Sequence, residues 1–166
     1  MIKYTLNENY FEVIDNKEKA YWLGFLFADG SNYRKQNKVS IGLHQKDNDH
    51  IIAFKNALEY TGPLYYNKSM SVLNIYNKKL SEDLEKLGCI DNKTFKIEFP
   101  KKLKNKYYSH FIRGYFDGDG HVSKNIKRCR IGIIGTSNFC DSLLNILKNI
   151  NIKGKLYTRF PERNNN

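Results

Sequence analysis

The stretch Trp22-Leu23-Gly24-Phe25-Leu26-Phe27-Ala28-Asp29-Gly30 returns as Ile112-Arg113-Gly114-Tyr115-Phe116-Asp117-Gly118-Asp119-Gly120. The offset is 90 residues throughout, so Gly24 falls on Gly114, Asp29 on Asp119 and Gly30 on Gly120. Each copy reads as a short apolar helix with a glycine inside it and an Asp-Gly at its end. Without a Cβ at Gly24 and Gly114, two such helices can bring their backbones close together. The closing glycines suit the left-handed turn that ends many helices. Packed side by side and parallel, the helices would bring Asp29 and Asp119 together at their C-termini. There the helix dipoles are negative and carbonyl groups lack partners within the helix. Two carboxylates and several carbonyls suit a hard divalent cation such as Mg²⁺. Beneath a basic surface holding DNA, such ions activate water and stabilise a leaving 3′ oxygen.

The repeat continues past the motif. The strand-like alternation Lys38-Val39-Ser40-Ile41-Gly42-Leu43-His44 is mirrored by Arg130-Ile131-Gly132-Ile133-Ile134-Gly135. A helix follows each, with Asp47 and Ser137 as the expected caps. The first copy reads as a helix over about 17–29, a hairpin over 31–44, a helix over 47–60, a strand pair over 64–76 and a helix over 78–87 stopped by Gly88. The second copy offers helix, hairpin, helix and a single strand near Lys155–Phe160. Residue 166 corresponds to Tyr76, so this half is expected to be incomplete at its C-terminal side. The division expected is a first half over 1–98, a charged linker over 99–108 and a second half over 109–166.

Composition narrows the function. The 166 residues carry 28 Lys and Arg against 17 Asp and Glu, a formal net charge of +11. Residues 1–98 account for 14 against 13, while residues 99–166 hold 14 against 4. The excess in the second part points to a polyanion, of which nucleic acid is the commonest inside cells. Cys89, Cys129 and Cys140 are odd in number and lack metal spacing, which argues against a disulfide framework or zinc finger. The longest uncharged apolar run, Tyr21 to Ala28, is far short of the roughly 20 residues of a membrane helix. Acidic residues within the first 18 positions disfavour a secretory signal. These features lead to the expectation of an intracellular protein with no membrane partner.

Both motifs resemble the two dodecapeptides of the LAGLIDADG homing endonucleases in their single-chain form. The approach Lys19-Ala20-Tyr21 and the segment His110-Phe111 extend the likeness, which spans residues 19 to about 160. The resemblance implies an α+β fold of two pseudo-twofold αββαββ(α) halves, with saddle-shaped antiparallel sheets and the motif helices at the interface. It implies a monomeric, site-specific double-strand DNA endonuclease using Mg²⁺ or another divalent cation such as Mn²⁺ on a long target. Carried over residue by residue, Asp29 and Asp119 would bind metal, with backbone carbonyls from Ala28 and Gly118. Gln45 would order active-site water, with Thr136 as its weaker counterpart, and Lys93 would stabilise charge on the scissile phosphate. Gly24 and Gly114 would form the helix interface.

Alternating strands read a groove with one face. In the first half that face draws on Ser31, Tyr33, Arg34, Lys35, Lys38, Ser40, Lys68 and Asn74. In the second it draws on His121, Ser123, Lys124, Arg128, Arg130, Lys155, Tyr157 and Arg159. The same fold also serves proteins that bind DNA or RNA without cutting it, such as intron maturases and transcriptional regulators. An intein-embedded nuclease is a further reading. Met1 and an Asn166 not preceded by His favour a free-standing or intron-encoded chain, in the cytoplasm of a bacterial or phage-infected cell or in an organelle.

Overall fold

Helix α1 (Lys17–Ala28) is apolar on nearly every side, and Ala20 and Trp22–Ala28 are all buried. A helix of that kind has to be covered all round. One flank of α1 packs on its own sheet, and the other meets helix α4 (Tyr108–Asp119). A computed structural model describes residues 4–91, 95–124 and 129–158, and in it the two motif helices touch backbone to backbone. A Cβ on Gly24 would fall 2.0 Å from the carbonyl oxygen of Phe111, and one on Gly114 would fall 2.0 Å from that of Tyr21. The two contacts are the same under the 90-residue offset. Further along, a Cβ on Gly118 would stand 2.4 Å from the Cβ of Ala28. The contacts climb both helices together, so the helices run parallel. The interface stripe is Tyr21, Gly24, Phe25 and Ala28 against Phe111, Gly114, Tyr115 and Gly118, the spacing of one helix face.

In the first half, α1 leads into β1 (Gly30–Tyr33), β2 (Lys38–His44), α2 (Asn48–Ala57), β3 (Leu64–Asn67), β4 (Met70–Tyr76) and α3 (Lys78–Lys86). All strand pairs are antiparallel, in the order β1-β2-β4-β3. The period of two sends Val39, Ile41, Ser71, Leu73 and Ile75 to the inner face, where Ile51, Phe54 and Leu58 from the α2 segment and Leu80 and Leu84 of α3 complete the core. Asn32 is also buried there. Its amide donates to the carbonyls of Ser81 and Cys89, both at 2.9 Å, and accepts from the Ser81 hydroxyl. A fully satisfied polar group thus ties β1 to α3 at a point that the hydropathy pattern leaves blank. Gly88, at φ +100°, ends the α3 segment as its glycine predicts.

The second half holds α4, β5 (Gly120–Val122), β6 (Ile131–Ile133) and α5 (Ser137–Asn149). Its β5 and β6 form a two-stranded antiparallel sheet among the described residues. The strand expected near Lys155–Phe160 is not formed by residues 155–158, which are exposed and unpaired with any strand, and the remainder lies outside the described residues. Two local readings also change. The cap of α5 is Thr136, whose hydroxyl accepts from the Phe139 amide at 3.2 Å, and Ser137 is the first helical residue. Gly30 and Gly120 are not left-handed turns, since each opens a strand. They are glycine because a Cβ would strike the last helical turn, 2.5 Å from Leu26 Cδ2 and 2.3 Å from the Phe116 carbonyl.

The charged linker over 99–108 is anchored by its apolar residues. Phe99, Leu103 and Tyr107 are buried, and Phe99 packs at 5.1 Å on Phe111 and 4.9 Å on Tyr108. The Tyr107 hydroxyl donates to the Asp15 carbonyl, which fastens the linker to the chain ahead of α1. No helix among the described residues is long and apolar enough to cross a membrane.

The helix contact sets a clear expectation for mutants. Gly24→Ala places a methyl against an immovable carbonyl and should lower the unfolding free energy by about 3 kcal/mol. At Gly42 the added Cβ would find Val72 at an ordinary 3.6 Å, so Gly42→Ala should stay within about 0.5 kcal/mol of the parent. Urea unfolding followed by circular dichroism measures both.

Candidate metal centre and nucleic-acid interface

Asp29 caps α1, its amide bonded to the Phe25 carbonyl at 2.9 Å. Asp119 is the last residue of α4. The parallel packing places these two ends side by side. Gly118 makes the room, because its missing Cβ would lie 3.1 Å from the Asp29 carboxylate oxygen Oδ2. The residues at these two helix ends bring oxygen donors only, the carboxyl groups of Asp29 and Asp119 and last-turn carbonyls, a chemistry that suits a hard divalent cation. No cluster of three or more His, Cys, Asp or Glu side chains gathers anywhere among the described residues.

Directly beyond the acids begin β1 and β5, so the open faces of both sheets start at this junction. On the first sheet the register lines up Ser31, Ser40 and Asn74 in one row and Tyr33, Lys38 and Tyr76 in the next. The Lys38 ammonium lies 4.9 Å above the Tyr33 ring. Five residues expected to face a groove therefore share one face: Ser31, Tyr33, Lys38, Ser40 and Asn74. The strands add Tyr65, Val72 and Tyr76 to that face, residues that a charge-led reading passes over. The alternation of β4 would have found Val72 and Tyr76, since both lie in phase with Asn74. Lys68 sits at the β3–β4 turn with φ 47°, and Lys35 is exposed in the turn between β1 and β2.

Other expected residues are placed differently. Arg34 turns away from the open face onto α3, bonding Glu85 at 2.9 Å, Ser81 at 3.1 Å and Glu82 at 3.4 Å. Two carboxylates and a hydroxyl from a neighbouring helix outcompete solvent for its guanidinium. Gln45 donates its side-chain amide to the Lys68 carbonyl at 3.0 Å, bracing the β3–β4 turn. Thr136 is occupied as a helix cap and also donates to the Ile97 carbonyl. In the second half His121 lies on β5 opposite Gly132, and Ser123 pairs with Arg130 by two bonds, at 2.8 and 3.0 Å. Lys124, Lys155 and Tyr157 are exposed. Lys93, Arg128 and Arg159 lie outside the described residues.

One polar cluster bridges the halves where sequence patterning names no site. The Tyr21 hydroxyl donates to Asp117 at 2.8 Å and lies 3.2 Å from His50 Nε2. Arg113 covers the Tyr21 ring at 4.8 Å and stands 3.9 Å from Asp117. Burial, reinforced by the Asp117 carboxylate, raises the Tyr21 phenol well above its ordinary value. Burial against Trp22 and Phe25 lowers His50, and this outweighs the opposing pull of Asp117 and Asp47. Under the 90-residue offset the matching pair is Phe27 and Phe111, an edge-to-face contact at 5.2 Å.

Residues 106–166 match the LAGLIDADG-like domain family, and the first half repeats the motif that this stretch carries. The chain has the fold of LAGLIDADG meganucleases: the crystal structure of I-AabMI bound to uncleaved DNA superposes with a TM-score of 0.56 at 13% identity, covering 87% of this chain and 76% of that one. Among curated proteins, the probable translation initiation factor IF-2 of Thermococcus kodakarensis is 30% identical over 82% of this chain. The replication factor C small subunit of Methanocaldococcus jannaschii is 27% identical over 66% of it. The chain spans only 12% and 6% of those two relatives.

The lowered His50 has a consequence for stability. Between its depressed folded value and the ordinary 6.5, the unfolded chain binds the extra proton. Stability should therefore fall as pH drops below about 6.5, and His50→Phe should flatten that part of the profile, read as the urea midpoint between pH 7 and 5.

Proposed function

We propose that this chain is a site-specific DNA endonuclease that hydrolyses phosphodiester bonds at the junction of its two motif helices, using a divalent cation such as Mg²⁺. The observation that carries the reading is the Asp29 carboxylate packed against Gly118, at the point where two symmetry-related helices end together and both sheets begin. Asp29 and Asp119 would hold the ion, with last-turn carbonyls such as those of Ala28 and Gly118 and with phosphate and water oxygens completing its shell. Such an ion supplies positive charge at the scissile phosphate and makes water more acidic. The open face of the first sheet, with Ser31, Tyr33, Lys38, Ser40 and Asn74, would align the duplex. The +10 excess of residues 99–166 would draw the phosphate backbone in.

The family match and the meganuclease fold support a DNA-binding nuclease lineage. The names of the curated relatives do not transfer, because an initiation factor and a replication factor subunit match the chain over so small a share of their lengths. With both motifs in one chain, a single copy would suffice for the site.

Asp29→Asn and Asp119→Asn should each reduce double-strand cleavage by at least about a hundredfold while leaving DNA affinity within a few-fold of the parent. Cleavage selection on a randomised duplex library, with Mg²⁺ and with chelator, tests this. Binding without any cutting by the parent chain would favour the maturase or regulator reading of the same fold. The DNA association constant should also fall steeply between 50 and 200 mM salt, by roughly a thousandfold if six or more phosphates are neutralised. Fluorescence anisotropy on a labelled duplex reads that slope.

A further inference from the structure

The central row of the open sheet face is Ser31, Ser40 and Asn74, one residue from each of three adjacent strands. Its neighbours along the strands differ in chemistry. Tyr33, Lys38 and Tyr76 lie on one side, and Gly42 and Val72 on the other. Within the row the Ser40 hydroxyl donates to the Asn74 carbonyl oxygen Oδ1 at 2.8 Å. A carboxamide is planar, so holding its oxygen toward β2 also fixes the direction of its amino group. Among the described residues that amino group has no acceptor, and Asn74 is partly exposed on this face. An amide that is free to rotate offers DNA either a donor or an acceptor. This one is held with its donor outward.

We infer that Asn74 is a specificity-determining residue, locked by Ser40 as a donor, that selects guanine at one position of the bound duplex. The inference rests on the proposal that this face meets DNA. In the major groove guanine presents two neighbouring acceptors, N7 and O6, which match the two hydrogens of one amino group. Adenine is ordinarily read by asparagine through both amide ends, accepting from N6 and donating to N7. Here the accepting end is engaged by Ser40 and held sideways toward β2. Cytosine presents an amino donor, which meets the Asn74 amino group donor to donor. Thymine offers a single acceptor beside a methyl group. The apolar patch of Gly42 and Val72 begins two residues along the strands, about 6.8 Å away or close to two base-pair steps. The discrimination is therefore local to one row.

The test is selection of bound sequences from a randomised duplex library by the full chain, without divalent ions so that cutting does not intervene. Asn74→Asp and Ser40→Ala are run in parallel, with folding checked by circular dichroism. The parent should recover a site with one guanine preferred by about tenfold or more over other bases. Asn74→Asp reverses the hydrogen-bond sense and should convert that position to cytosine. Ser40→Ala frees the amide to turn and should admit adenine there. Both variants should leave the rest of the site unchanged. A recovered site in which no guanine responds to Asn74→Asp overturns this inference and leaves the DNA reading standing. Adenine at the responding position in the parent also overturns it. If the parent recovers no sequence at all, the DNA reading and this inference fall together.

Discussion

The structure depends on the contact of two helix backbones with nothing between them. A single methyl at Gly24 or Gly114 would land 2.0 Å from a carbonyl oxygen of the facing helix. That approach sets the distance between the halves, and the distance decides whether the acids at the helix ends form one site or two separate caps. It also explains why α1 carries no polar face of its own. The helix has its own sheet on one flank and its partner helix on the other, and Tyr21 alone reaches from it into a shared polar cluster.

The proposed function follows from the place where the helices stop. An Asp at a helix end is commonplace, and so is a strand that begins after a glycine. Here the two events coincide twice, 90 residues apart, with the second Gly118 yielding space to the first Asp29. Charge at the junction and the open sheet face beyond it are thus parts of one piece of geometry.

Much of this was legible in the sequence, and the reasons are physical. Identical spacing revealed the repeat, and the period of two in β1, β2 and β4 put Ser31, Ser40 and Asn74 among the residues of the open face. Gly88 and the first-half element order followed from glycine, caps and periodicity. What stayed hidden depends on partners distant in the chain. Arg34 reads as a groove contact until Glu82 and Glu85 arrive from a helix about fifty residues later. Asn32 and Ser81 are ordinary polar residues until burial joins them. Gly30 and Gly120 invited a conformational explanation, yet the reason is steric crowding against the preceding helical turn. Thr136 looked like a counterpart of Gln45, and the helix took its hydroxyl as a cap.

The two seams flanking the helix pair are built from different materials. On one side Phe27 meets Phe111 in a dry aromatic contact, and on the other Tyr21 meets Asp117 through a hydrogen bond beside His50. A pairing of two first halves would set Tyr21 against Phe27 at both seams, so each Tyr21 hydroxyl would lose its charged Asp117 acceptor at a cost of about 1.5–3 kcal/mol. A pairing of two second halves would press Asp117 onto Phe111, a carboxylate against an aromatic face. Only the mixed pair satisfies both seams. The interface therefore tells its halves apart, and a chain built on a repeated plan cannot exchange its sides.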